Sequence, residues 1–303
     1  MKLILLMSTY NGEKYLRDQL DSILSQDLLP DQVLIRDDGS SDNTMTILEE
    51  YSRKHQFIHY YQGKNKGPAK SFWQLIEDTE DADYYALCDQ DDVWFKDKLS
   101  VAVKALEKED NEQPLLYCSR YTLTDEKLTP INSDVSKLYG FSDFPHSLIY
   151  HSAPGCTFVF NHSARKWIME YDLNKEYYLI HDAIIHKVVC LFGKMILDTD
   201  SHMYYRQHGN NEIGMDANAL RVFAGRIRRF LHGDIKNYRS NTAKSILKVY
   251  GDQCSKENRE LLNIVANYMN DKKLKKQLLT RECFRSHTIN DLFFIILVLV
   301  NYI

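Results

Sequence analysis

The sequence predicts an α/β fold, a mostly parallel sheet flanked by helices and followed by a helical C-terminal extension. Three observations carry this expectation. Short apolar runs recur at 3–7, 33–35, 58–61 and 84–88, each the length of a buried strand. Segments with helical spacing lie between them. Each run also stops at a polar turn, and such strand–turn–helix repetition builds parallel sheets covered by helices.

The first run, 3–7, ends at Ser8-Thr9-Tyr10-Asn11-Gly12. Tyr15, Leu16, Leu20, Ile23 and Leu24 then recur at three- and four-residue steps, as on one helix face. The second run stops at Asp37-Asp38-Gly39-Ser40-Ser41-Asp42, where Ser41 or Asp42 can cap a helix over 43–54. A Gly-Pro turn separates the third run from a helix over 69–76, and the fourth ends at Asp89-Gln90-Asp91-Asp92. Shorter strands are expected at 115–119, 157–160 and 194–197, a helix at 183–191, and an all-helical pattern from about 216. In parallel sheets ligands bind beyond the carboxyl ends of the strands. Three of those ends here carry polar clusters, so the clusters converge on one rim.

The bulk numbers narrow the class. With 303 residues and 44% hydrophobic content the chain can bury a core. A net charge of −4 gives no global positive field for nucleic acid. Six cysteines without a CxxC pair read as reduced thiols of a cytoplasmic protein. The apolar start is too short for a signal peptide. No glycine-rich dinucleotide or P-loop signature is present. Carboxylates crowd the first part of the chain, whereas basic residues gather later, from Arg221 to Arg239.

Asp89 and Asp91 stand two apart at a strand end. Such carboxylates can share a hard divalent cation while leaving positions for phosphate oxygens and water. Turn formation and capping are the plain alternative. The segments Met7-Ser8-Thr9-Tyr10-Asn11-Gly12, Asp37-Asp38-Gly39-Ser40-Ser41-Asp42-Asn43-Thr44 and Asp89-Gln90-Asp91-Asp92-Val93-Trp94 resemble the three hallmarks of family 2 inverting glycosyltransferases, in that family's order and spacing. The likeness is strong through residue 100 and continues in patches to about 211.

This resemblance implies a GT-A catalytic domain over 1–215 and a separate helical region over 216–303. It implies a nucleotide-sugar donor and Mg2+ or Mn2+ as cofactor. Ser8 and Tyr10 fall where the family contacts the nucleotide, Tyr10 being available to stack on the base. Asp38 matches the carboxylate that accepts from the pyrimidine N3–H, which suits uracil or thymine. Asp89 matches the ribose end of the acidic motif, and Asp91 the direct metal ligand. The His181-Asp182 pair matches the position of the catalytic base, with Asp182 removing the acceptor's proton; an N-cap aspartate is the alternative. Tyr205-Arg206-Gln207-His208-Gly209-Asn210-Asn211 resembles a segment of bacterial rhamnosyltransferases. There His208 would be a third metal ligand or a diphosphate contact, and Arg206 a diphosphate contact or a structural salt bridge. Gly155, in a Pro-Gly-Cys turn, and Trp94, beyond the acidic motif, are candidates for the acceptor side.

The expected reaction is transfer of L-rhamnose from dTDP-rhamnose to a lipid-linked saccharide in bacterial surface polysaccharide synthesis. A UDP-hexose or UDP-N-acetylhexosamine transferase of the same fold, or a non-catalytic sugar-nucleotide-binding protein, are the alternatives. A nucleotidyltransferase is disfavoured, because Ser-Thr-Tyr-Asn-Gly-Glu stands where a basic glycine-rich loop is needed. In the tail, 220–231 sets arginines opposite an apolar face, and 292–300 is wholly apolar but too short to span a bilayer. Peripheral contact with the inner face of the cell membrane, or homo-oligomerisation, are the two expectations for it.

Overall fold

The computed structural model describes residues 1–132, 142–150, 154–173, 180–209, 236–285 and 289–303. The expected basic helix over 220–231 and the Asn210-Asn211 pair lie outside the described residues.

The first half follows the predicted alternation. β1 (Leu3–Thr9), α1 (Leu16–Leu24), β2 (Gln32–Asp37), α2 (Thr44–Lys54), β3 (Ile58–Gln62), α3 (Pro68–Asp78) and β4 (Tyr84–Cys88) build a parallel block ordered β3-β2-β1-β4. β1 is buried along its whole length. Its side chains alternate between two cores, as a period of two requires. Ile4 and Leu6 enter the core under α3, while Leu3, Leu5 and Met7 enter the core under α1 and α2. Pro68 starts α3 with its φ already set for a helix, after Gly67 in the left-handed region at φ 79°.

The second half makes the sheet mixed. It contains β5 (Val93–Trp94), α4 (Lys98–Leu106), β6 (Leu115–Thr124), β7 (Pro130–Asn132), α5 (Phe144–Ile149), β8 (Val159–Asn161), α6 (His162–Met169), α7 (His181–Phe192) and β9 (Lys194–Arg206). β8 runs antiparallel to both β4 and β6, and β9 pairs parallel with β6 and antiparallel with β5. Strands β6 and β9 are far longer than the predicted 115–119 and 194–197. Polar residues such as Arg120, Thr122, Asp198 and Ser201 hide their extension from a search for apolar runs. The paired ribbon carries the chain after Arg206 back to the rim beside β5.

The described C-terminal residues form α8 (Tyr238–Tyr250), α9 (Lys256–Asn267), α10 (Lys272–Thr280) and α11 (Ile289–Leu299). Ala243, Ile246, Leu262, Val265 and Leu297 share one core with Ile4 and Leu6 of β1. No helix among the described residues is long and apolar enough to cross a membrane.

Candidate active site

The polar loops after β1 and β2 close on each other. Asn11, at φ 47°, accepts at Oδ1 from the Ser41 amide (2.8 Å), and its own amide donates to Ser40 Oγ (2.8 Å). The Gly12 amide donates to Thr44 Oγ1 (2.8 Å), and Glu13 Oε2 accepts from the Asn43 amide (2.9 Å). Neither capping candidate is the N-cap of α2, which is Asn43; Asp42, one residue earlier, accepts from the Thr44 amide at 3.0 Å. Asp37 is fully buried and accepts from the Ser40 amide, Ser40 Oγ, Thr9 Oγ1 and Gln62 Nε2. Its carboxylate is the knot of the turn, since a buried carboxylate is stable only when its lone pairs are used.

Asp38 faces the other way. It accepts from Arg36 Nη1 (2.5 Å), from the Lys66 amide (2.9 Å to each oxygen) and from the Gly67 amide (2.8 Å). The buried Arg36 also donates to Ser71 Oγ (2.9 Å), which accepts from Ser8 Oγ (2.6 Å). Gln90, between the two motif aspartates, locks the first loop to the third. Its Oε1 accepts from the Tyr10 amide and its Nε2 donates to the Tyr10 carbonyl, both at 2.9 Å. A Cβ on Gly12 would come 2.2 Å from Gln90 Oε1, so only glycine allows this closure.

These loops, with Pro154-Gly155-Cys156 and the start of α7, enclose a cavity of about 470 Å³. Ser8, Tyr10, Asp38, Asp89, Asp91, Gly155, His181 and Asp182 all line it. Asp182 sits at the second position of α7, whose N-cap is Ile180, and its Oδ2 accepts from the Gly155 amide at 3.2 Å. The capping alternative for Asp182 is therefore corrected: the carboxylate is turned across the cavity wall rather than back onto its own helix. His181 stacks on Phe72, centroids 4.4 Å apart. A Cβ on Gly155 would approach His181 Nε2 to 3.0 Å and Asp182 Cβ to 3.1 Å.

His208 does not line the cavity, but its Nε2 lies 2.7 Å from Asp91 Oδ2 and its ring stacks on Tyr15 at 4.7 Å. That distance is a direct hydrogen bond, and it brings a carboxylate and an imidazole, both ordinary donors to a divalent cation, to one place on the rim. Asp89, Asp92 and Cys156 form a second cluster, with ligand-type atoms within 4.8 Å of one another. Burial, with the charges of Asp91 and Asp89, pushes the Asp92 carboxyl well up, and burial also raises the Cys156 thiol. The acidic rim thus offers two groups of donors that fit a divalent cation, Asp91 with His208 and Asp89 with Asp92 and Cys156.

Two candidates are placed elsewhere. Arg206 bonds Asp18 Oδ2 (2.7 Å) and the Glu126 carbonyl (3.0 Å), and its guanidinium lies over the Tyr15 ring. Of the two roles expected of it, the salt bridge is the one that this structure makes. Trp94 is buried against α4, with the Lys98 ammonium 4.6 Å from its ring centroid, and does not line the cavity. β5 turns it inward, because its strand pairs with β9 while Asp91 stays at the rim. Sequence reasoning missed Arg36, Gln90, Ser71 and Phe72. A charged residue inside an apolar strand was the available signal for Arg36; the other three had none.

The model of glycosyl transferase family 2 matches residues 4–167. The chain belongs to glycosyl transferase family 2. It is a glycosyltransferase of GT-A fold. Among its relatives, the dTDP-rhamnosyl transferase RfbG of Shigella flexneri is 30% identical over 224 residues, covering 69% of this chain and 73% of that protein. The putative teichuronic acid biosynthesis glycosyltransferase TuaG of Bacillus subtilis is 32% identical over 146 residues, covering 48% of this chain and 54% of that protein. The structure of S. aureus TarS 1–349 in complex with UDP-GlcNAc superposes with a TM-score of 0.60 at 18% identity, covering 98% of this chain and 81% of that one. That likeness is one of fold.

Proposed function

We propose that this glycosyltransferase moves L-rhamnose from dTDP-rhamnose to a lipid-linked saccharide acceptor in the synthesis of a bacterial surface polysaccharide, on the cytoplasmic side of the membrane. The observation that carries the reading is the meeting of Asp38, Asp89, Asp91 and Asp182 around one cavity at the carboxyl ends of β1, β2 and β4. Kinship with the dTDP-rhamnosyl transferase RfbG supports the donor.

Tyr10, 48% exposed beside the cavity, offers its ring to the base. Asp38 is oriented by Arg36 and by the 66–67 backbone, and it takes the N3–H of thymine or uracil, a proton that cytosine lacks. Ser8 and Asp89 face the nucleotide's sugar and phosphate side. Asp91 and His208 would hold Mg2+ or Mn2+, which when bound would supply positive charge for the leaving diphosphate. Asp182 is buried in the cavity wall and held by the Gly155 amide. It accepts the proton of the acceptor hydroxyl as that oxygen attacks the anomeric carbon from the face away from the diphosphate. The anomeric C–O bond to phosphate breaks as the new glycosidic bond forms, with inversion and no covalent enzyme intermediate.

A second reading keeps the site and changes the donor to a UDP-hexose or UDP-N-acetylhexosamine. The UDP-GlcNAc complex of TarS, a protein of the same fold, favours it, and Asp38 treats uracil and thymine alike. Calorimetry with dTDP-rhamnose and UDP-sugars, with Mn2+ or Mg2+, separates the two. Wild type should bind dTDP-rhamnose only with metal, and Asp91→Ala should abolish that binding. Asp182→Asn should bind normally and lose roughly 100- to 10,000-fold in turnover. Selective UDP-sugar binding overturns rhamnose, and no sugar-nucleotide binding under any metal overturns the transferase site.

A further inference from the structure

The C-terminal helices carry a surface unrelated to the cavity. α11 packs Phe294, Leu297 and Val298 into the core. Leu292, Ile296, Leu299 and Val300 stand on its outer side, 46 to 60% exposed. Positions 292, 296 and 299 follow steps of four and three, so they form one stripe along the helix. Between 292 and 300 no charged or polar side chain interrupts it.

The neighbouring helix is basic. α10 begins Lys272-Lys273-Leu274-Lys275-Lys276 and buries Leu278. The Lys275 ammonium donates to the Leu299 carbonyl (2.9 Å) and to Asn301 Oδ1 (2.8 Å), which fixes this lysine at the C-terminal end of the apolar stripe. Lys272 stands one helical turn before both Lys275 (i,i+3) and Lys276 (i,i+4), which gathers the three around one flank of α10. Residues 271–303 hold six Lys and Arg against three Asp and Glu, within a chain of net charge −4. The three acids are otherwise engaged or set aside from the stripe: Asp271 caps α10, Asp291 accepts from Tyr150, and Glu282 lies in the turn after α10.

The geometry points to this face as a docking surface for an anionic lipid bilayer. Apolar side chains enter the boundary between headgroups and acyl chains while the flanking lysines meet the lipid charge, as on interfacial helices. The charge beside the stripe selects this occupant over a second copy of the chain. An anionic bilayer offers acyl chains to the stripe and negative charge to Lys272 and Lys276 at once, which is the complementarity that this face presents. The inference places on the fold the membrane contact that a lipid-linked acceptor requires. It rests on the transfer reading only for its purpose.

The test is co-sedimentation of the full chain with vesicles, which needs neither donor nor metal and so reads separately from the calorimetry. The chain should pellet with phosphatidylcholine vesicles holding about 30 mol % phosphatidylglycerol, release with salt, and stay free of pure phosphatidylcholine. Lys272→Gln with Lys276→Gln should weaken binding roughly 30-fold. Ile296→Ser with Leu299→Ser should weaken it at every salt concentration. Both pairs are exposed, so melting temperature and donor binding should stay at wild-type values. Undiminished binding by both variants, or no binding by the wild type, overturns the proposal. So does a wild-type dimer that Ile296→Ser with Leu299→Ser converts to monomer.

Discussion

One methyl group at Gly155 is a sensitive probe of the transfer site. The added carbon meets His181 and Asp182 at 3.0 and 3.1 Å, and His181 is held from behind by Phe72. The strain therefore falls on Asp182, whose carboxylate shifts from its place on the Gly155 amide. Gly155→Ala should lower turnover roughly 100-fold, the scale of an ångström-sized misplacement of a reacting group. Donor affinity by calorimetry should hold, because the nucleotide side of the cavity is built by other loops. Unchanged turnover would mean that Asp182 is not the base or is not positioned by this contact. At this scale the sequence was legible where a motif puts the residue at the cavity, as for Asp91. It was not legible where the residue acts through a partner distant in the chain. Gln90 works by its bonds to Tyr10, and nothing in the residues around Gln90 indicates them.

At the scale of elements, α7 brings His181 and Asp182 to the cavity at its start and buries a charge further along. Residues 181–189 are all buried, among them Lys187. Burial pushes the Lys187 ammonium down from 10.5 to about 8, against the pull of the Asp182 charge. Between pH 8 and about 10.5 the unfolded chain holds this proton and the folded chain does not. Stability from this group therefore rises with pH through that window, and its full cost is present below pH 8. Lys187→Met should stabilise the protein by about 2–3 kcal/mol at neutral pH. Denaturant titrations of the two proteins should converge as the pH is raised through the window. A pH-independent gap would show that Lys187 keeps its proton in the fold. Periodicity found α7 to within two residues but missed the length of β6 and β9. Their polar outer halves are satisfied by pairing with each other, and such pairing is invisible to a local pattern.

Across the whole molecule, one core joins the sheet to the C-terminal helices. Leu262 of α9 is fully buried in the same cluster as Leu6 of β1 and Trp73 of α3. Leu262→Ala should cost about 2–5 kcal/mol and lower one cooperative transition. Tryptophan fluorescence and far-ultraviolet circular dichroism should report that loss together. Two transitions, only one of them shifted, would mean that the helices unfold as an independent unit. The sequence alone suggested a helical appendage, since its 3.6-residue periodicity begins where the strand pattern stops. That periodicity gives each helix an apolar face without saying what the face covers.

By itself the sequence determined the order of the first seven elements, the rim on which the polar clusters meet, and the acidic motif. Each of these follows from local spacing and from the rule that ligands sit beyond parallel strand ends. Tertiary structure alone decided which of the clustered residues face the cavity. It withdrew Trp94 into the core, tied Arg206 to Asp18 and set His208 against Asp91. The physical reason is that these three placements depend on the β6–β9 ribbon and on strand pairing between β5 and β9. The pairing energy is shared between segments far apart in the chain, Leu115 with Lys194 and Val93 with Tyr204, so no local stretch of the chain encodes it.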